Sequence, residues 1–290
     1  MRWKTGWRWI IGVALALLLA GCSAIRLSYN QGPTLAYWWL DGYADFTSEQ
    51  TPRVKAALAD WFAWHRATQL ADYQQQLALA QQEVLADTTA EQVCARIEAW
   101  RGRADRAFEQ AVPAVADIAR SITPAQLEHL AKRYAKNLSE TERDYLQPAA
   151  DDRRAANLKR ALERAETLYG RLGEPQRQVL AEGLAASPFD PQQWLAERQA
   201  RQQDILRALR QWQGGRADVA TVQAGLRRLS GELAASPRPA YRAYAQRLET
   251  ANCALIAQVH NATNPAQRRK AAEHLKGWQE DLRVLAAALP

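Results

Sequence analysis

The side chains best suited to chemistry are concentrated between Tyr29 and Tyr73, in Tyr37-Trp38-Trp39-Leu40-Asp41-Gly42-Tyr43 and Trp61-Phe62-Ala63-Trp64-His65-Arg66. An imidazole can serve as a general base, but only with a nucleophile or second base in register, and the sequence places none near His65. His65 and Arg66 fall at the expected end of a helix, where the helix dipole, or pairing with Asp41 or Asp72, accounts for them. Leu35, Trp38, Trp39, Tyr43 and Phe46 recur at helical spacing and form one broad apolar stripe. That stripe has two readings: core between the first two helices, or a patch of Trp38, Trp39, Asp41, Tyr43, Trp64, His65 and Arg66 that faces a membrane, a ligand or a partner. His129, His260 and His274 lie on separate expected helices without ligand spacing, so no metal is implied. With no Gly-x-Ser-x-Gly elbow, no Gly-rich phosphate loop and no paired carboxylates, neither a cofactor nor an enzymatic reaction is expected.

Cysteine chemistry begins at the N-terminus. Arg2, Lys4 and Arg8 precede an apolar run from Trp9 to Ala20. At about 12 residues, roughly 18 Å as a helix, the run is too short for a bilayer span and reads as an export signal. It ends in Leu18-Leu19-Ala20-Gly21-Cys22-Ser23, which resembles the bacterial lipobox. That resemblance implies cleavage before Cys22 and attachment of diacylglycerol to its sulfur, with a further acyl chain on the freed amine. Two or three chains, at about 0.8 kcal/mol per buried methylene, would hold the protein firmly in a membrane. Similarity to Gram-negative lipoproteins, with Ser23 after the cysteine, further implies the periplasmic face of the outer membrane. Cys94 and Cys253 are then the remaining thiols. In an oxidising compartment they make a possible disulfide, although buried free cysteines in helices are the competing reading.

The 38 Lys and Arg against 31 Asp and Glu give a net charge of +7, which at first suggests nucleic acid or a membrane surface. Loss of residues 1–21 removes three cations and no anion, leaving 35 against 31, or +4. The remaining charges alternate in sign, as in Asp151-Asp152-Arg153-Arg154, which reads as a solvated helix face. No nucleic-acid partner is expected.

The elements that must position these residues are helical throughout. Apolar residues recur every three or four positions from Pro33 onward, with no sustained two-residue alternation. The expected architecture is all-α, an elongated bundle of antiparallel hairpins. Helices are expected near 33–46, 49–66, 69–86, 90–120, 124–137, 140–169, 174–186, 191–213, 217–235, 238–262 and 265–289. Several starts share one chemistry: a capping residue, then Pro, then Gln at the third helical position. These are Thr123-Pro124-Ala125-Gln126, Asp190-Pro191-Gln192-Gln193 and Asn264-Pro265-Ala266-Gln267, with a looser Gly173-Glu174-Pro175-Gln176. Ser139-Glu140-Thr141-Glu142 reads as another start, and Gly170, Gly173 and Gly214-Gly215 as stops. Pro113 and Pro148 are expected to kink the helices that hold them. The chain thus divides into a signal (1–21), a short tether (22–32) and a helical body (33–290), with two lobes conceivable about 170–174.

The run Cys22-Ser23-Ala24-Ile25-Arg26-Leu27-Ser28-Tyr29-Asn30, with Trp38-Trp39-Leu40-Asp41-Gly42-Tyr43, Gln50 and Trp64-His65-Arg66, resembles a family of uncharacterised helical lipoproteins of Gram-negative bacteria, a domain of unknown function. The resemblance implies an outer-membrane lipoprotein over nearly the whole mature chain and supplies no activity. Ile122-Thr123-Pro124-Ala125-Gln126 is also similar to the Leu-Thr-x-x-Gln motifs of small periplasmic stress chaperones, and Asn264-Pro265-Ala266-Gln267-Arg268 echoes it, but helix capping already explains both. The expected function is non-enzymatic: a lipid-anchored protein whose helical surface binds an envelope protein as scaffold, chaperone or assembly factor. The alternative is a carrier of a lipid or other small hydrophobe in an aromatic-lined groove.

Overall fold

The computed structural model describes residues 24–288. Among them are twelve α-helices and no strand: α1 (Ala24–Asn30), α2 (Gly32–Ala44), α3 (Gln50–Thr68), α4 (Leu70–Glu83), α5 (Ala90–Ser121), α6 (Pro124–Tyr145), α7 (Ala150–Tyr169), α8 (Glu174–Ala185), α9 (Pro191–Trp212), α10 (Val219–Ala234), α11 (Pro239–Asn261) and α12 (Pro265–Ala287). The protein is an all-α bundle.

The starts follow the capping chemistry. Thr123 and Gln126 satisfy each other's backbone N–H groups, as do Asn264 and Gln267. The Asp190 carboxylate accepts from the N–H groups of Gln192 and Gln193. The same reciprocal pair joins Thr47 to Gln50 ahead of α3. Gly173 begins α8 rather than stopping a helix, and no side chain caps it there. Gly214 (φ +66°, ψ 24°) takes up the left-handed conformation common at helix stops, and Gly170 (φ +69°, ψ −166°) a positive-φ conformation that glycine alone adopts readily.

Three expectations fail for identifiable reasons. The break at Ser139 is absent, because α6 runs on to Tyr145; the Tyr145 ring packs against Phe189 and Trp194, and a local cap does not outweigh that tertiary contact at the end of the helix. Pro148 kinks no helix: it lies in the connection between α6 and α7, where its ring forbids continuation. Residues 24–30, read as tether, are helix α1, fixed to the body by an Arg26–Asp281 ion pair at 3.0 Å and a Tyr29–His65 hydrogen bond at 2.8 Å. Pro113 sits inside α5 without ending it.

The buried core is divided among four clusters rather than gathered in one. Ala116, Ala119, Ala208, Trp212 and Val222 join α5, α9 and α10. Ile122, Leu127, Leu130 and Leu206 join α6 and α9. Leu162, Leu172, Leu180 and Val259 join α7, α8 and α11 about the segment read as a lobe boundary. Val84, Ala271 and Leu275 seat the end of α4 on α12. Early and late helices therefore interlock: α4 lies along α12, and α5 packs on both α10 and α11. The Cys94 and Cys253 sulfurs are bonded, crosslinking α5 to α11 across 159 residues of sequence.

Candidate functional site

The aromatic segment divides into three environments. Trp38 and Trp39 point to solvent, 64% and 65% exposed, with Leu35 beside them, so they are not the core between the first two helices. Asp41 and Tyr43 serve the turn after α2. The Asp41 carboxylate accepts from Phe46 N–H at 2.9 Å, and its carbonyl accepts from Asp45 N–H, which sits at φ +48°. The Tyr43 hydroxyl accepts from Asn137 on α6 at 2.8 Å, and the Arg133 guanidinium lies over its ring. Trp64, His65 and Arg66 belong to a third group beneath α1.

That third group is the most ordered constellation of polar and aromatic groups near the N-terminus. Helical spacing on α3 brings Trp61 and His65 one turn apart, and their rings stack at 4.8 Å. Tyr73 on α4 meets His65 edge-on at 5.4 Å, and Trp100 on α5 meets Tyr73 at 5.3 Å. The Trp61 indole donates to the Ala107 carbonyl at 2.9 Å. α1 closes the top: the Tyr29 hydroxyl bonds His65 Nδ1, and its ring packs edge-on against Phe62. Gly32 permits this closure, since a Cβ there would lie 2.3 Å from the Phe62 ring.

Arg66 bonds the Asn30 side chain at 2.9 Å and the Leu285 carbonyl at 3.1 Å, with its guanidinium over the Tyr29 ring. A cation at the C-terminal carbonyls of α12 is the favourable partner for that end of a helix. Neither Asp41 nor Asp72 pairs with His65 or Arg66: Asp41 is used in its own turn, and Asp72 holds Arg103 in a two-pronged pair at 2.8 and 2.9 Å. Tyr29, Asn30 and Asp281 are participants that spacing alone did not single out, because each reaches this site from a distant helix.

Burial pushes the Tyr29 phenol up to about 12, partly countered by the Arg66 cation, and lowers the His65 imidazole from its ordinary 6.5. A phenol so hard to ionise is a poor base, and no hydroxyl or thiol nucleophile other than this phenol lies within hydrogen-bond reach of His65 among the described residues. The arrangement binds α1 to the body. Its pH dependence follows from the sign of the shift. The folded state binds the His65 proton less readily than the unfolded chain, so the full contribution is present above pH 6.5 and declines as pH falls below it toward the folded value. Thermal melts from pH 7.5 to 5 should therefore show a loss of Tm that is smaller in His65→Gln; equal loss in both proteins would refute this assignment.

A similar tyrosine–histidine pair recurs late in the chain. The His260 Nε2 faces the Ala86 carbonyl at 2.7 Å and must donate to it, so in the neutral ring Nδ1 accepts from the Tyr169 hydroxyl at 2.8 Å. Burial pushes that phenol up to about 12 as well.

The glutamines at the helix starts also meet in pairs, which local capping does not reveal. The Gln126 amide donates to the Ala44 and Asp45 carbonyls and to the Gln50 side chain, while the Gln50 amide donates to the Ser121 carbonyl. The ends of α2 and α5 are thereby tied to the starts of α3 and α6. The same connection recurs late in the chain. Gln176 donates to the Ala262 carbonyl and to the side chain of Gln267, which donates to the Arg171 carbonyl. The ends of α7 and α11 are tied there to the starts of α8 and α12. The resemblance to stress-chaperone motifs thus coincides with two four-helix junctions.

A cavity of about 590 Å³ opens at the second junction, among Tyr169, Arg171, Gln176, Asn264, Gln267 and Lys270. Another of about 390 Å³ adjoins it, beside Leu85, Arg268 and Arg269. Neither is lined by Trp38, Trp39 or Trp64. No cluster of three potential metal ligands occurs among the described residues, and no helix among them is long and apolar enough to cross a membrane. Cys22 lies outside the described residues.

No curated protein and no solved structure matches the chain. A family model does match, over residues 42–222. That span takes in Tyr43, Gln50, both glutamines of the first junction and Trp64-His65-Arg66, and begins just after Trp38-Trp39-Leu40-Asp41. With well over half of its length matched, including the helices that carry Trp61, His65, Tyr73, Gln50 and Gln126, the chain belongs to the family of unknown function DUF6279.

Proposed function

We propose that the protein is a lipid-anchored component of a bacterial cell envelope, held by acyl chains on Cys22, whose helical body binds another envelope protein without catalysing a reaction. The observation that carries this reading is the run Leu18-Leu19-Ala20-Gly21-Cys22-Ser23 directly after a short basic and apolar leader. The Cys94–Cys253 bridge supports export, because structural disulfides persist in oxidising compartments. The resemblance to Gram-negative lipoproteins, with Ser23 after the cysteine, favours the periplasmic face of the outer membrane. The domain division proposed is a signal at 1–21 and a mature chain from Cys22, with α1 belonging to the body rather than to a free tether. A carrier role through the aromatic segment draws no support from the two cavities described above, which lie at the other end of α12 and are lined by none of those aromatic residues.

Cys22→Ala tests the anchor. Wild type should fractionate with membranes, incorporate labelled palmitate and have the mass of a chain beginning at an acylated Cys22. The variant should lose the label and remain uncleaved. An unlabelled wild-type protein, or a variant cleaved as before, would refute the anchor. Crosslinking in cells followed by mass spectrometry should then yield one recurrent envelope protein attached to the wild type.

A further inference from the structure

The outward side of α1 and α2 differs from the rest of the surface. Ten residues between 24 and 44 are exposed, and none is charged, whereas the chain average of 24% would place about two charges among them. The two ionic residues of the segment are partly buried and occupied, Arg26 by Asp281 and Asp41 by Phe46 N–H. What remains outward is led by Leu27, Leu35, Trp38 and Trp39, each between 46% and 65% exposed. The backbone bonds continue through the junction between the helices, Gln31 N–H to the Leu27 carbonyl and Leu35 N–H to the Gln31 carbonyl. Residues 27, 31, 35, 38 and 39 therefore share one side.

We propose that this face lies in the headgroup region of the bilayer, as a second membrane contact that fixes how the body is oriented beside its anchor. The inference rests on the reading that Cys22 is acylated. The place where the described chain begins selects a lipid surface: Ala24, the first residue of α1, is two residues from Cys22, so acyl chains would enter the bilayer at the start of this face. From Leu27 to Trp38 is roughly 16 Å along a helix, a length that can lie flat on the same membrane. Trp is suited to that depth, with an apolar ring and an N–H for a headgroup oxygen, and neither the Trp38 nor the Trp39 indole donates a hydrogen bond among the described residues. The four side chains offer roughly 500 Å² of surface, well short of the 800 Å² or so per partner of a stable protein interface, which disfavours a second copy.

The test uses the acylated mature protein in vesicles of phosphatidylethanolamine and phosphatidylglycerol whose acyl chains carry bromine, a short-range quencher of indole fluorescence. Two of the eight tryptophans after residue 21 lie on this face, so about a quarter of the emission should be quenched. Trp38→Ser/Trp39→Ser should remain bound, keep its helical circular dichroism and lose that quenching. Equal quenching in both proteins, or none in vesicle-bound wild type, would overturn the proposal. A dimer in detergent that the double variant loses would assign the face to a second copy, with the same result. Wild type without acyl groups on Cys22 by mass would defeat the anchor and this inference together, whereas acylated, bound and unquenched protein would defeat the inference alone.

Discussion

Replacing both bridged cysteines, as Cys94→Ala/Cys253→Ala, is expected to lower the stability of the protein more than any other change considered. The bridge spans 159 residues of sequence, and closing a loop of that length removes roughly 5 kcal/mol of conformational freedom from the unfolded chain. Cys253 is fully buried, so the variant also leaves a small void where the sulfur packed. The bridge joins α5 in the first half of the chain to α11 in the second, while the remaining core is split among four clusters. Without it, no covalent link outside the chain itself holds α11 on α5. Equilibrium unfolding should show a loss of about 3–5 kcal/mol and a Tm lower by on the order of 10 °C, with the helical spectrum retained at low temperature. Reductant should reproduce the loss in wild type and leave the variant unchanged. A reduced wild type as stable as the oxidised one would refute the account.

The second large effect is expected at Gln126. Its amide group supplies hydrogens to Ala44 and Asp45 and to Gln50, and its oxygen accepts from Thr123 N–H, in a site where it is 3% exposed. Gln126→Ala leaves those groups unpaired at once, for a loss of about 2–4 kcal/mol. Gln267 makes the corresponding contacts at the late junction but is only half-buried, and its amide reaches one carbonyl; Gln267→Ala should cost about 1 kcal/mol because water replaces what is lost. Gln126→Glu gives the sharper test. It is nearly the same shape, but an ionised carboxylate cannot donate and would face two carbonyls, so at neutral pH it should destabilise more than alanine. Part of the loss should return on acidification, when the carboxyl group regains a hydrogen. Urea denaturation of the three variants at pH 7 and pH 5 would decide it, and equal losses at 126 and 267 would refute the junction account.

The helical class and most helix starts were legible in the sequence because their causes are local. A Thr, Asp or Asn cap followed by Pro and Gln acts within four residues, and it acts the same way wherever the chain goes next. Ser139 marks the limit of that rule: the cap chemistry is present, but α6 runs through it to Tyr145, whose ring packs on Phe189 and Trp194 from a distant part of the chain. At Pro148 a steric prohibition acted as expected in kind, but it ended a helix instead of bending one.

The sequence by itself determined where most helices begin, that Cys22 follows a short basic and apolar run and that two further thiols were available. Only the tertiary structure decided which thiols met, which side of α2 faced water and which glutamines shared a junction. The physical reason is that periodicity marks a stripe without saying what covers it: Trp38 and Trp39 have the spacing of core residues, yet they are exposed because α3 and α6 pack on the other side of α2. Likewise a capping glutamine uses its oxygen locally and has an amide left over, and the partner for that amide comes from helices some 80 residues away.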